Sequence, residues 1–220
     1  LYLAAREGAT RCVRLLLDAD GATPCDENEE NQEGADVSLL NMASNTQRTP
    51  LHVSIKYDRR SVVDMLFGEP ALDCGLVDSR NWSMWHEAAA VDAVDVIQSH
   101  LMPRSAPHAT LRDARGRTPL AVAALYGSMR VMTLLLQGVP GDGSGGCDVD
   151  KDEQDQGINM LQFVELVDSP DDDGNSPLAL AASKGHTHMC ALLLETGRVD
   201  VDRPCAKGKR FALHLAAGFG

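Results

Sequence analysis

Carboxylates are the residues here most suited to chemistry. Asp148, Asp150, Asp152 and Asp155 precede Gly157-Ile158-Asn159 and Phe163, a run that looks like a calcium-binding loop. Its register fails. With Ile158 at loop position 8, Lys151 falls at position 1 and Gln162 at position 12, where a bidentate Glu is required. The Gly-rich stretch Gly141 to Gly146 lacks the Gly-Lys-Ser/Thr ending of a phosphate loop. His186, His188 and Cys190 have the residue types of a metal site, but helical spacing puts Cys190, like Cys12, on an apolar stripe, as a core thiol. The six cysteines include no CxxC pair, so neither a zinc nor a redox motif is present. Free thiols at this length point to a reducing, intracellular and cytoplasmic setting. No acid–base pair, nucleophile motif or cofactor loop emerges, so no enzyme activity and no cofactor or metal is expected.

The elements that would position any site form an internal repeat. Thr49-Pro50-Leu51-His52, Thr118-Pro119-Leu120-Ala121 and Ser176-Pro177-Leu178-Ala179 are three copies, and Ser83-Met84-Trp85-His86 is a degenerate fourth. Leu1 to Ala5 and Leu213 to Ala217 are two more, without the Thr-Pro. The leucine position falls at 1, 51, 85, 120, 178 and 213. Three intervals are one repeat of about 33 residues, and two are a repeat plus an insertion. Each copy runs on in the same way. Ala123-Ala124 leads to Gly127, then Val131-Met132 and Leu134 to Leu136; Ala181-Ala182 leads to Gly185-His186, then Met189-Cys190 and Leu192 to Leu194. That is a helix, a glycine break and a second helix with an apolar face.

These copies resemble the ankyrin repeat family. The resemblance implies an all-α fold, a solenoid of stacked helix-turn-helix units with short β-hairpin-like tips and two long acidic loops. Repeats are placed near residues 1–17, 40–68, 78–101, 113–137, 171–196 and 205–220, in one domain, with insertions near 18–39 and 138–170. Aromatics are only 4% of the chain, so aliphatic side chains and alanine must build the core. Thr118 suits an N-cap, Pro119 the first helical position, and Gly127 a left-handed helix end. Gln47 and Asn81 stand where the tip turn favours glycine, and Asp58 replaces the mid-repeat glycine. The third copy lacks Gly-His, and its second helix, around Val94 to Leu101, is expected to be short and distorted. His52, His86 and His214 sit at the motif histidine, which in this family bonds to neighbouring backbone. The chain opens on Leu1 rather than Met and its last copy stops before a second helix, so the parent array is expected to continue.

Charge is divided unevenly. The chain carries 20 Lys+Arg against 32 Asp+Glu, a net charge of −12. Residues 18–47 hold eight acids and no base, and residues 137–173 hold eleven acids and one base, Lys151. The remaining chain is therefore mildly basic. The acidic balance argues against nucleic acid and anionic membranes, and no apolar run is long enough to span a bilayer.

The resemblance also implies a function: a non-catalytic protein–protein interaction module, a scaffold or adaptor binding through a concave face and the hairpin tips. The alternative is the regulatory ankyrin region of a larger enzyme or channel. Tip positions carried over from the family are Asn45, Thr46 and Arg48; Ser79, Arg80 and Trp82; Ala114, Arg115 and Arg117; Asp172, Asp173 and Asn175; and the block Lys207 to Arg210. Helix positions are Lys56 and Tyr57, Leu125 and Tyr126, Ser183 and Lys184. Arg, Trp and Tyr are the types that dominate protein interfaces. The candidate binding set is therefore Arg48, Tyr57, Arg80, Trp82, Arg115, Arg117, Tyr126 and Lys184, facing an acidic peptide or protein surface.

Overall fold

A computed structural model of the chain describes residues 1–20, 38–105, 110–137, 167–205 and 211–218. The acidic runs at 21–37 and 138–166, with the calcium-like and Gly-rich stretches, lie outside the described residues, as does the Lys207 to Arg210 block. Among the described residues there is no β-strand; helices and turns carry the fold. The helices are α1 (Tyr2–Glu7), α2 (Thr10–Asp20), α3 (Pro50–Lys56), α4 (Arg60–Phe67) and α5 (Met84–Ala90). There follow α6 (Val94–Val96), a π-helical turn (Ile97–Leu101), α7 (Met102–Ser105), α8 (Pro119–Tyr126) and α9 (Met129–Gln137). The last are α10 (Pro177–Ala182), α11 (Thr187–Glu195) and α12 (Ala212–Ala217).

The first helices form one row. In that row α1, α3, α5, α8, α10 and α12 each pack on the next, and the second helices pack behind them. Small side chains make the close stacking possible: Ala88, Ala89, Ala123, Ala124, Ala181 and Ala182 are all buried. The Thr-Pro-Leu motif works locally as its chemistry demands. The Thr118 and Ser176 hydroxyls accept from the backbone N–H groups of Ala121 and Ala179, and Pro119 and Pro177 sit where no N–H is needed. Each such cap contributes about 1 kcal/mol.

The motif histidines tie one repeat to the next. His52 Nδ1 accepts from Thr49 N–H at 3.3 Å, and His52 Nε2–H donates to the Trp82 carbonyl at 3.0 Å. His86 repeats the arrangement with Ser83 and the Arg117 carbonyl. Because a backbone N–H can only donate and a carbonyl can only accept, both rings are fixed as neutral Nε2–H tautomers. Burial accordingly holds the His52 pKa down, to about 4, and lowers that of His86.

The substituted glycine positions all adopt left-handed backbone: Gln47 has φ 56°, Asp58 φ 52° and Asn81 φ 58°. Asp92, at φ 56°, takes the same role in the third copy. It also accepts from Val131 N–H at 2.9 Å, capping α9 of the following repeat. Gly127 (φ 77°) has a second reason to be glycine: a Cβ there would stand 2.9 Å from His186 Cε1.

Two expectations are corrected. The second helix of the third copy is distorted, as expected, but not shortened: α6, the π turn and α7 run continuously from Val94 to Ser105. Pro103 has no N–H to return to the Ser99 carbonyl, so the regular bonding pattern cannot continue there, and the π turn lies immediately before it. Cys12 is exposed, not a core thiol, because α2 packs through Val13. Cys190 is half-buried, and burial raises its pKa.

Candidate interaction face

Three of the tips are aspartate-centred turns, and in the first, Ser44 Oγ takes the place of the carboxylate and accepts from Arg48 N–H at 3.3 Å. Asp78 Oδ1 accepts from the N–H groups of Arg80 and Trp82. Asp113 Oδ1 accepts from Arg115 and Arg117, and Asp171 Oδ1 from Asp173 and Asn175. The tips are then laced together by backbone bonds from Ser79 N to Thr46 O (3.0 Å), Ala114 N to Arg80 O (2.8 Å) and Asp172 N to Arg115 O (2.9 Å). Four consecutive tips therefore form one hydrogen-bonded row.

The second oxygens of these aspartates organise the tip side chains. Asp78 Oδ2 binds Arg48 and Arg80 at 3.2 and 2.9 Å. Glu87 Oε1 takes further contacts from the same two guanidiniums, at 3.6 and 3.2 Å. Asp113 Oδ2 accepts the Trp82 Nε1–H at 3.0 Å and the Arg117 Nε–H at 2.8 Å. Burial pushes the Asp78 and Asp113 carboxyls up, but the surrounding hydrogen bonds outweigh it and hold both below the usual value. For Glu87, burial wins and its pKa is raised.

Glu87 has no precedent in the other copies, which place Val53, Val122 and Leu180 at this helix position. Such a carboxylate costs desolvation and is tolerated only when paired. Its position clamps Arg80, whose guanidinium lies 3.8 Å over the Trp82 ring. The Tyr126 ring meets Trp82 edge-on at 6.2 Å. This contact puts the C-terminal end of α8 on the same face as the tip before it.

The predicted residues thus separate into two groups. Trp82 is only 3% exposed and is a support beneath Arg80 rather than a contact surface. Arg48 and Arg117 are largely enclosed by their carboxylate partners. Arg80 is 43% exposed, and Arg115 and Lys184 are exposed as well. Tyr57 and Tyr126 are 46% and 52% exposed, and Lys56 Nζ lies 5.7 Å from the Tyr57 ring centroid. Sequence reasoning missed Val91, an exposed apolar side chain at the equivalent position directly after α5. Counting six residues on from Trp85, as Tyr57 follows Leu51 and Tyr126 follows Leu120, would have found it.

No described cluster of His, Cys, Asp or Glu could hold a metal ion. A groove of about 550 Å³ at α10, α11 and α12 is mostly apolar, and Cys190 is the titratable group lining it. Among the described residues no helix is long and apolar enough to cross a membrane.

A repeat-family model described as "Ankyrin repeats (3 copies)" matches residues 151–220, and one described as "Ankyrin repeat" matches residues 1–29 and 115–142. The chain belongs to the ankyrin repeat family. It is 27% identical over 179 residues to the nuclear factor NF-kappa-B p105 subunit of Gallus gallus, covering 73% of this chain and 17% of that protein. It is 26% identical over 184 residues to the NAD-dependent deacetylase sir2B of Dictyostelium discoideum, covering 78% of this chain and 23% of that protein. The chain therefore spans about a fifth of the length of these relatives. Ankyrin repeats are protein–protein interaction modules, and the helical solenoid matches that family.

Proposed function

We propose that this chain is a non-catalytic, intracellular and cytoplasmic binding module, a scaffold or adaptor segment. It engages a partner protein through the tip row and the concave face formed by the first helices. One observation carries the reading. Exposed Tyr57, Arg115, Tyr126 and Lys184, with half-buried Arg80, share a framework whose buried acids are already committed to internal partners. Preorganised aromatic and Arg side chains lose little entropy on binding, which is what interface anchors require. The exposed cations Lys184 and Arg115 favour an acidic peptide or protein surface.

The test is affinity capture with the chain and with a variant carrying Tyr57→Ala, Arg115→Glu, Tyr126→Ala and Lys184→Glu. Circular dichroism and urea melting would first show equal folding. A partner captured by the wild type and lost by the variant supports the reading. A partner retained equally by both moves the interface off this face.

The deacetylase similarity supports a second reading, in which the array is the regulatory region of a larger enzyme. There the bound partner would be a catalytic domain of the same parent protein, and the same face would be occupied in cis.

A further inference from the structure

One side chain per repeat forms an exposed line across the first helices. Tyr57, Val91, Tyr126 and Lys184 each lie six residues after the leucine position of their copy, and all four are exposed. Tyr126 closes α8, Tyr57 and Val91 directly follow the C-terminal ends of α3 and α5, and Lys184 follows that of α10 after Ser183; these four helices pack in sequence. The line is aromatic or aliphatic at three positions and cationic at the fourth. Lys184 makes no ion pair among the described residues.

The tip pairing gives the advance per repeat, which falls within the roughly 8–10 Å at which packed helices lie. Each repeat advances by one pairing within a tip, as from Ser44 N to Arg48 O, and one between tips, as from Ser79 N to Thr46 O. Two hydrogen-bonded chain spacings amount to about 9.6 Å. A ligand that meets every repeat with the same face must repeat at that distance. A polyproline II helix has three residues per turn and advances about 9.3 Å per turn. An α-helix returns to the same face after seven residues, about 10.5 Å. A β-strand turns alternate residues to opposite faces, so its third residue points away. Over three such advances the mismatch accumulates to about 1 Å for polyproline II and about 3 Å for the α-helix.

We propose that Tyr57, Val91, Tyr126 and Lys184 form a docking track for a polyproline II peptide with an apolar side chain every third residue and a carboxylate at the Lys184 end. The proposal rests on the reading that this face binds protein and names the chemistry of the partner. Tyr57 and Tyr126 supply aromatic faces, as in other grooves that accept such peptides. A preformed polyproline helix loses little entropy on docking. Lys184 sets the direction.

The experiment uses fluorescein-labelled peptides and the whole 220-residue chain, read by fluorescence anisotropy. The first probe is Leu-Pro-Pro-Leu-Pro-Pro-Leu-Pro-Pro-Glu, with a second version carrying Glu at the other end. Controls are the same composition with leucine every fourth residue, an Ala-rich helical peptide with leucine every seventh residue, and a probe with Lys in place of Glu. One of the three-residue-spaced acidic probes is expected to bind at least about ten-fold more tightly than either spacing control. Tyr57→Ala and Tyr126→Ala should each weaken it, and Lys184→Glu should switch preference to the Lys-bearing probe. Tightest binding by the heptad helix, lost in Tyr126→Ala, would overturn the polyproline track while leaving the face a protein-binding surface. Equal binding of every probe regardless of the tyrosine variants would overturn the track, and its indifference to the tyrosines would count against the face. Absence of binding by all probes would overturn the track alone, since the capture experiment tests the face independently.

Discussion

The Trp82 indole donates its Nε1–H to Asp113 Oδ2 in the next repeat, at 3.0 Å. The same carboxylate orders its own tip through the N–H groups of Arg115 and Arg117. One buried group thus satisfies two repeats. Asp113→Ala would leave these donors without an acceptor and is expected to destabilise the chain by about 3 kcal/mol. Urea melting should show a lower midpoint, and Asp113→Asn, which keeps one acceptor oxygen but loses the second and the charge, should lie between the two.

His52 makes stability depend on pH. Its folded pKa of about 4 lies below the unfolded value near 6.5, so the unfolded chain takes up the proton first. The contribution is complete above about pH 6.5 and fades as pH falls toward 4, by about 3 kcal/mol in the limit. His86 acts in the same direction. Thermal midpoints should therefore fall between pH 7 and pH 5. A His52→Gln variant, though less stable at pH 7, should show a shallower decline. An equally steep decline in the variant would remove His52 as the cause.

The non-glycine left-handed positions should respond differently to glycine. Gln47 has an exposed side chain and carries the conformational cost alone. Gln47→Gly is expected to stabilise by about 1 kcal/mol. Asp92 has the same backbone but caps α9 through Val131 N–H. Asp92→Gly loses that bond and should be neutral or destabilising. Paired urea melts of the two variants would reveal the contrast.

Gly127→Ala meets two penalties, a φ of 77° and a Cβ 2.9 Å from His186 Cε1. It is expected to cost more than about 1 kcal/mol. Combining it with His186→Ala should cost less than the sum of the two single changes, because the clash then has no partner. Simple additivity would show that backbone strain alone sets the cost.

The sequence made the repeats legible because capping threonines, prolines and glycines act locally. Thr118, Pro119 and Gly127 do what their chemistry demands wherever the chain goes next. The candidate face was legible only in part, because exposure is decided between repeats. Nothing near Trp82 in sequence signals that Asp113, 31 residues on, would draw its indole inward. Asp92 was overlooked for a similar reason: its carboxylate is matched by an N–H from the next repeat. The π turn in the helix ending at Ser105 lies just before Pro103, a local signal that periodicity alone masks.

The account stands most directly on which face a partner protects. Hydrogen exchange by mass spectrometry, with and without a captured partner, reads this in one experiment. Slowed exchange is expected at tip residues 79–82 and 114–117 and at the first-helix ends near 57, 91, 126 and 184. The second helices α4, α9 and α11 should stay unchanged. Protection confined to those second helices, with the tips exchanging as freely as before, would contradict the account.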